Sequence, residues 1–255
     1  QKKKNFSNLD FHKLPNIMGV LNLTPDSFSD GGKFNNKSKG IKHAIEMIKS
    51  GANIIDIGGE STRPGSKAIK KKIEWKRINK IIKFISKKIP TSLDTRKSEI
   101  MEKGIRLGVK IINDVSGLSY DPETKNVLKK YKVPFVIQHS QGIPENMQKN
   151  PKYKNVLLDI YDFFEQKIIS LRSFGIKHNN IILDPGIGFG KNLKHNMTII
   201  KNISTYHSFG LPILVGASRK KFIKELSNNN DSSSRIGGTI SSSIFAMMQG
   251  VQMLR

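Results

Sequence analysis

What most constrains this chain is a rhythm in its apolar residues. Short β-branched or apolar runs recur about every thirty residues, each closing on polar side chains, with helical patterns between them. The first three are Ile17-Met18-Gly19-Val20-Leu21 closing on Asn22, Asn53 to Ile57 leading into Gly58-Gly59-Glu60, and Ser92-Leu93 with Asp94. Lys110-Ile111-Ile112 with Asn113-Asp114, Phe135-Val136-Ile137 with Gln138-His139, and Ile181-Ile182-Leu183 with Asp184 follow. The last two are Pro212 to Val215 with Gly216-Ala217-Ser218, and Val251 to Leu254 with Arg255. Buried strands alternating with helices predict an α/β fold, a (β/α)8 TIM barrel, as one domain over residues 1–255. The active site of such a barrel lies at the C-terminal mouth of its strands, so the polar strand ends are the candidate functional residues.

The segments between the strands have helical period. Ser38 to Lys49 carries Ile41, Ala44, Ile45 and Ile48 on one face, and Ile73 to Lys87 carries Ile78, Ile81, Ile82 and Ile85. Ser98–Leu107, Pro122–Tyr131, Asn155–Phe174, Asn196–Tyr206 and Ser234–Met248 are the other expected helices, with Asn228 to Ser234 read as a loop. Gly51, Gly108, Gly175, Gly210 and Gly250 follow helical segments, where a left-handed residue ends a helix well. The chain stops at Arg255, the end of the eighth strand. A complete barrel adds a closing helix of roughly a dozen residues. The expectation is therefore truncation after the eighth strand, without that helix and with apolar surface exposed on the first and eighth strands.

Composition narrows the chemistry. There is no cysteine, which removes thiolate nucleophiles, disulfides and Cys-ligated metals, and a reducing cytoplasm is the expected location. No apolar run approaches the roughly 20 residues that span a bilayer, so no membrane partner is expected. The net charge of +24 invites a nucleic-acid reading, but the lysines are scattered over every helix instead of forming one stripe. No nucleic-acid partner is expected; the charge instead draws anionic small molecules toward the mouth.

Two loops carry more polarity than turns require. Leu21-Asn22-Leu23-Thr24-Pro25-Asp26-Ser27-Phe28-Ser29-Asp30-Gly31-Gly32 follows the first strand, and Gly58-Gly59-Glu60-Ser61-Thr62-Arg63-Pro64-Gly65 the second. As turn chemistry alone, Pro-Asp-Ser and Arg-Pro-Gly need no function, but long loops over a barrel mouth are usually lids or binding loops. Gly186 to Lys191 is not a nucleotide loop: three residues separate its outer glycines, and Asn192 follows the lysine where Ser or Thr is needed.

Together with Leu93-Asp94-Thr95, Ile111-Ile112-Asn113-Asp114, Leu183-Asp184-Pro185-Gly186-Ile187-Gly188-Phe189-Gly190-Lys191-Asn192 and Gly216-Ala217-Ser218-Arg219-Lys220, these loops resemble the dihydropteroate synthases, the folate-pathway pterin-binding barrels. The resemblance runs from about Asn16 to Arg255. It implies a transferase that joins 4-aminobenzoate to 6-hydroxymethyl-7,8-dihydropterin diphosphate, giving 7,8-dihydropteroate and diphosphate, with Mg2+ as cofactor. It implies that Asp94, Asn113 and Asp184 grip the pterin and that Lys220 donates to its acceptor side. It places Asn22 at the metal, and Thr62, Arg63 and Arg255 around the diphosphate, with Arg63 and Lys220 catalytic. Two guanidinium forks suit that anion; the case for Arg255 is the weaker of the two, because a last residue can fray. Phe28, Pro64 and Phe189 would wall the aminobenzoate ring, which belongs to the family's sulfonamide-targeted step.

The chain departs from the family at a few positions. It lacks the histidine that follows the family's last arginine, and Lys221 stands where a small hydroxyl residue is usual, at a place suited to the aminobenzoate carboxylate. Arg96 replaces a usual serine and Ser140 a usual methionine; neither is expected to abolish pterin binding. His139 reads as a satisfied strand-end donor. Family dimers pack through late helices, so a homodimer is an open expectation. The missing tail motivates one alternative, a decayed barrel that still binds pterin without turnover. A pterin-barrel methyltransferase serving a corrinoid fits the two loops less well.

Overall fold

The computed structural model describes residues 15–24, 35–61, 66–142, 150–227 and 235–255. Each apolar run becomes a strand: β1 Asn16–Asn22, β2 Ile54–Gly58, β3 Thr91–Asp94, β4 Ile111–Asp114, β5 Phe135–Gln138, β6 Ile181–Asp184, β7 Leu214–Val215 and β8 Met253–Leu254. All their pairings are parallel, in the order β6-β5-β4-β3-β2-β1-β8-β7. A bridge from Leu183 to Ile213, with the Leu183 N–H on the Pro212 carbonyl at 2.9 Å, brings β6 beside β7 and joins the sheet's two ends. The chain is therefore a TIM barrel.

Helices α1 Asn35–Lys49, α2 Lys71–Ile85, α3 Ser98–Arg106, α4 Thr124–Tyr131, α5 Val156–Ser173, α6 Leu193–Lys201, α7 Lys221–Ser227 and α8 Ile236–Met248 complete the crossovers. The expected stripe of α2 is the observed one, since Ile78, Ile81, Ile82 and Ile85 are buried against the strands. Every glycine expected to end a helix has a positive φ, from +64° at Gly210 to +103° at Gly108. Beyond the sixth strand the helices differ from expectation. Asn192 and His195 form a capping box that starts α6 before Asn196, and the helix stops at Lys201, giving way to a 3-10 stretch over Ile203–Phe209. Helix α7 begins at Lys221, where the resemblance alone implies a helix N-terminus: seven residues carrying two buried apolar side chains, Phe222 and Ile223, leave too little period to read. The loop expected over Asn228 to Ser234 lies outside the described residues.

The barrel interior explains how these strands place a site. One inward residue from each strand but β3 forms a sealed layer of Met18, Ile54, Ile111, Val136, Ile182, Leu214 and Met253. Side chains two residues apart share a face of a strand. The next inward positions are thus Val20, Asp56, Asn113, Gln138, Asp184, Gly216 and Arg255, all but two of them polar, joined by Asp94 from β3, whose Ser92 is in register with Ile111. A polar layer therefore sits directly on an apolar floor. On the outside, Ile236, Ile240, Ile244, Phe245, Met247 and Met248 of α8 are exposed, as is Ile17 of β1, whereas Met253 of β8 is buried. Among the described residues no helix is long and apolar enough to cross a membrane.

Candidate active site

The polar layer is knit by Arg255. Its backbone N–H bonds the Val215 carbonyl at 2.9 Å, which anchors the residue beside β7. From there Nε donates to Asp56 Oδ2 and Nη2 to Asp94 Oδ2, both at 2.7 Å. Asp56 Oδ2 also accepts from Asn113 Nδ2 at 3.0 Å. A last residue that could have frayed is thus held in place. Strand pairing fixes its backbone, and two buried carboxylates fix its guanidinium. Asp56 itself went unread, because an acid in the middle of an apolar run looks like an interruption. The period-two spacing Ile54, Asp56, Gly58 was the available signal.

This network is incomplete on one side. Asp56 Oδ1, Asp94 Oδ1, Asn113 Oδ1 and Gln138 Nε2 are buried without a hydrogen-bond partner. Buried polar atoms are rarely left so, since each costs about 1–3 kcal/mol when unmet. Three acceptors and a donor of this polar layer thus lack partners. Burial pushes the Asp94 carboxyl up to about 8 against the opposing charge of Arg255, with nearby Asp56 adding to the rise. Asp184 is raised too, again by burial, although the Gly186 N–H donates to its Oδ1 at 2.7 Å and the charges of Arg255 and Lys220 oppose the shift.

Lys220 meets this layer from the turn after β7. Its ammonium lies 4.0 Å from the centre of the Phe189 ring. Burial and the charge of Arg255 lower it to about 8, while Asp184 and Asp94 hold it up. Phe189 belongs to the turn after β6, where Gly186 has φ +69° and a Cβ would come within 1.9 Å of the His139 carbonyl. Glycine is the residue that can pass so close to β5. His139 is satisfied as expected: its Nδ1 lies 3.0 Å from the Lys191 nitrogen.

The other candidates are placed as follows. Asn22 ends β1, exposed, in register with Gly58; a Cβ on that glycine would lie 3.3 Å from its amide oxygen, so the missing side chain leaves the amide room. Lys221 opens α7 with its side chain 80% exposed, paired with Glu225 at 3.7 Å. Phe28, Thr62, Arg63 and Pro64 lie outside the described residues. At the base of the second loop, Lys97 bridges buried Glu60 and Glu74, and the Ile69 N–H bonds Glu60 at 2.8 Å. Arg96 joins them at 3.2 Å from Glu60 with its guanidinium 4.1 Å from the Tyr120 ring centre, which gives this residue a structural task. Among the described residues no group of three or more His, Asp or Glu side chains is arranged to hold a metal.

A parallel barrel whose mouth offers buried carboxylates, an amide and two cations to a flat guest is the architecture of a pterin enzyme. The family model described as "Pterin binding enzyme" matches residues 18–255. The dihydropteroate synthase of Escherichia coli is 40% identical over 243 residues, covering 94% of this chain and 86% of the relative. The crystal structure of the Yersinia pestis dihydropteroate synthase with a sulfonamide drug complex superposes with a TM-score of 0.90 at 39% identity, covering 97% of this chain and 90% of that one. The Xanthomonas albilineans dihydropteroate synthase, solved with 4-aminobenzoic acid, gives a TM-score of 0.89 at 33% identity, with coverages of 95% and 87%. The chain belongs to the dihydropteroate synthases, and it is an enzyme of their transferase kind.

Proposed function

We propose that the barrel mouth joins 4-aminobenzoate to 6-hydroxymethyl-7,8-dihydropterin diphosphate through the residues set out above. The observation that carries the reading is the half-satisfied polar layer. A pterin presents an exocyclic amine and ring N–H donors along one edge, with a carbonyl and ring nitrogens as acceptors. Asp94 Oδ1 and Asn113 Oδ1 are buried acceptors awaiting such donors, and Gln138 Nε2 is a donor awaiting an acceptor. Asp184 adds a carboxylate, and Lys220 an ammonium for the acceptor side. Asp56, absent from the sequence reading, takes part by holding Arg255 and Asn113 in place.

In the reaction the methylene C–O bond breaks with its electron pair passing to the diphosphate oxygen. The arylamine nitrogen then forms the new C–N bond and sheds a proton. No covalent nucleophile is needed; catalysis is positioning plus stabilisation of the leaving anion. Thr62, Arg63 and Arg255 are assigned to that anion by resemblance, with Arg63 and Lys220 as the catalytic cations. Arg255 reaches it only from a guanidinium already engaged with two acids. Phe189 walls the aromatic partner, together with Phe28 by resemblance, and Lys221 is the cation offered to the aminobenzoate carboxylate. The crystal structure of the Xanthomonas albilineans relative with 4-aminobenzoic acid supports that second substrate.

Magnesium fits the one described donor assigned to it. Asn22 offers a single hard, exposed oxygen at the mouth, and Mg2+ commonly takes one or two protein oxygens while keeping waters and substrate phosphates. When bound there it would neutralise diphosphate charge. Residues 1–255 are read as one domain, and a cytoplasmic, self-associating protein is the reading that accompanies the family.

The test is release of diphosphate from the dihydropterin diphosphate. Release that requires 4-aminobenzoate, and that Asp184→Asn weakens through a raised pterin KM, bears the reading out. Tight pterin binding with no diphosphate released would instead identify a decayed binding barrel.

A further inference from the structure

Lys191 is 3% exposed, and the mechanism gives it no task. Its ammonium donates to the Phe189 carbonyl at 2.9 Å, to His139 Nδ1 at 3.0 Å and, more weakly, to the His139 carbonyl at 3.4 Å. All three partners are neutral. A buried amine held by three neutral groups and no carboxylate is an expensive way to pack a turn. We infer that Lys191 is a positioning residue of the synthase reaction: it fixes the turn after β6 so that the Phe189 ring seats the Lys220 ammonium. The inference rests on the proposed role of Lys220 at the pterin.

Each link in this chain is local. The His139 ring stands edge-on to Phe163 at 4.9 Å and tilted to Tyr153 at 6.0 Å, so Nδ1 is a rigid acceptor. Burial pushes this imidazole down to about 3, and it stays neutral and able to accept. At the far end of the turn the Tyr153 hydroxyl donates to the Gly190 carbonyl at 2.8 Å. Between these anchors the turn touches Lys220 twice. A Cβ on Gly188 would lie 3.0 Å from Lys220 Cδ, and the Phe189 ring lies beneath the ammonium. Lys220 therefore rests along Gly188 and Phe189, and the Phe189 peptide is what Lys191 grips. Burial and the charge of Lys220 lower Lys191 to about 7, and Asp184 opposes that shift, so the clamp shares its field with the residues it positions.

The experiment is a double-mutant cycle of Lys191→Met with Phe189→Leu, read in the KM for dihydropterin diphosphate. Lys191→Met should raise that KM roughly tenfold or more, because small misplacements of binding groups carry such losses. In the Phe189→Leu background the same change should add little. Two losses that multiply would overturn the inference. His139→Asn, whose Oδ1 stands where Nδ1 does and keeps a neutral acceptor, should stay near wild type, while His139→Leu should reproduce Lys191→Met. A second readout needs no turnover: the Phe189 ring shifts the Lys220 ε-methylene resonances upfield in 13C-lysine-labelled protein. Lys191→Met should move them toward free-lysine values; an unchanged shift in a folded variant would sink the proposal. Failure of the wild type to release diphosphate would refute the functional reading alone, and the lysine resonances would still decide this one.

Discussion

The floor and the rim of the barrel are made by the same strands, two residues apart, with opposite chemistry. The floor residues, Met18, Ile54, Ile111, Val136, Ile182, Leu214 and Met253, are sealed and need nothing further. The rim residues Asp56, Asp94, Asn113 and Gln138 are almost as deeply buried, yet each keeps a buried side-chain atom without a hydrogen-bond partner. Equal burial thus stabilises one layer and costs free energy in the other. The difference marks where stability gives way to recognition, since a layer that is unfinished alone can be finished by a guest.

The largest expected effect would come from Arg255→Met. It leaves Asp56 and Asp94 buried without their shared cation, and loss of one partner of a buried pair typically costs about 3–5 kcal/mol. Urea unfolding at pH 8 should show this loss, shrinking toward pH 5 as Asp94, whose carboxyl burial raises to about 8, takes up its proton. A loss below about 1 kcal/mol would mean that the rim does not depend on the arginine. A smaller effect is expected in the pH dependence of pterin binding. A carboxylate accepting donors binds best when ionised, and free Asp94 holds its proton up to about 8. Binding then expels that proton, so affinity should rise with pH until about 8, by at most tenfold or about 1.4 kcal/mol per unit. Calorimetry at pH 7 in buffers of different ionisation heat should detect proton release, and Asp94→Asn should abolish it. Smallest is Ile111→Val in the floor. It should cost about 0.5–1.5 kcal/mol of stability and leave the pterin KM alone. A change in KM without loss of stability would erase the proposed division between the layers.

Much of this was legible in advance. Asp94, Asn113, Asp184 and Arg255 could be singled out because each closes an apolar run, and strand ends in such a barrel face the mouth. Asp56 escaped because it lies inside its run, and its partner Arg255 is 199 positions away. The Lys191 and His139 pair, 52 positions apart, escaped for the same reason. The break after Lys201 and the short α7 were lost where the helical period is too brief to register. The case for Arg255 looked the weakest because position along the chain says nothing about strand pairing, and pairing with β7 is what anchors it.

The strands, the buried stripe of α2 and the glycines that end helices were written locally, since periods of two and 3.6 and a positive φ depend on near neighbours alone. Which polar side chains meet was decided by closure. Only when β8 settles between β1 and β7 does a guanidinium come between two acids from β2 and β3. Only when the turn after β6 folds onto β5 does Lys191 reach His139. Such contacts are enforced by the packing of the whole barrel, and no stretch of chain short enough to show a pattern contains them.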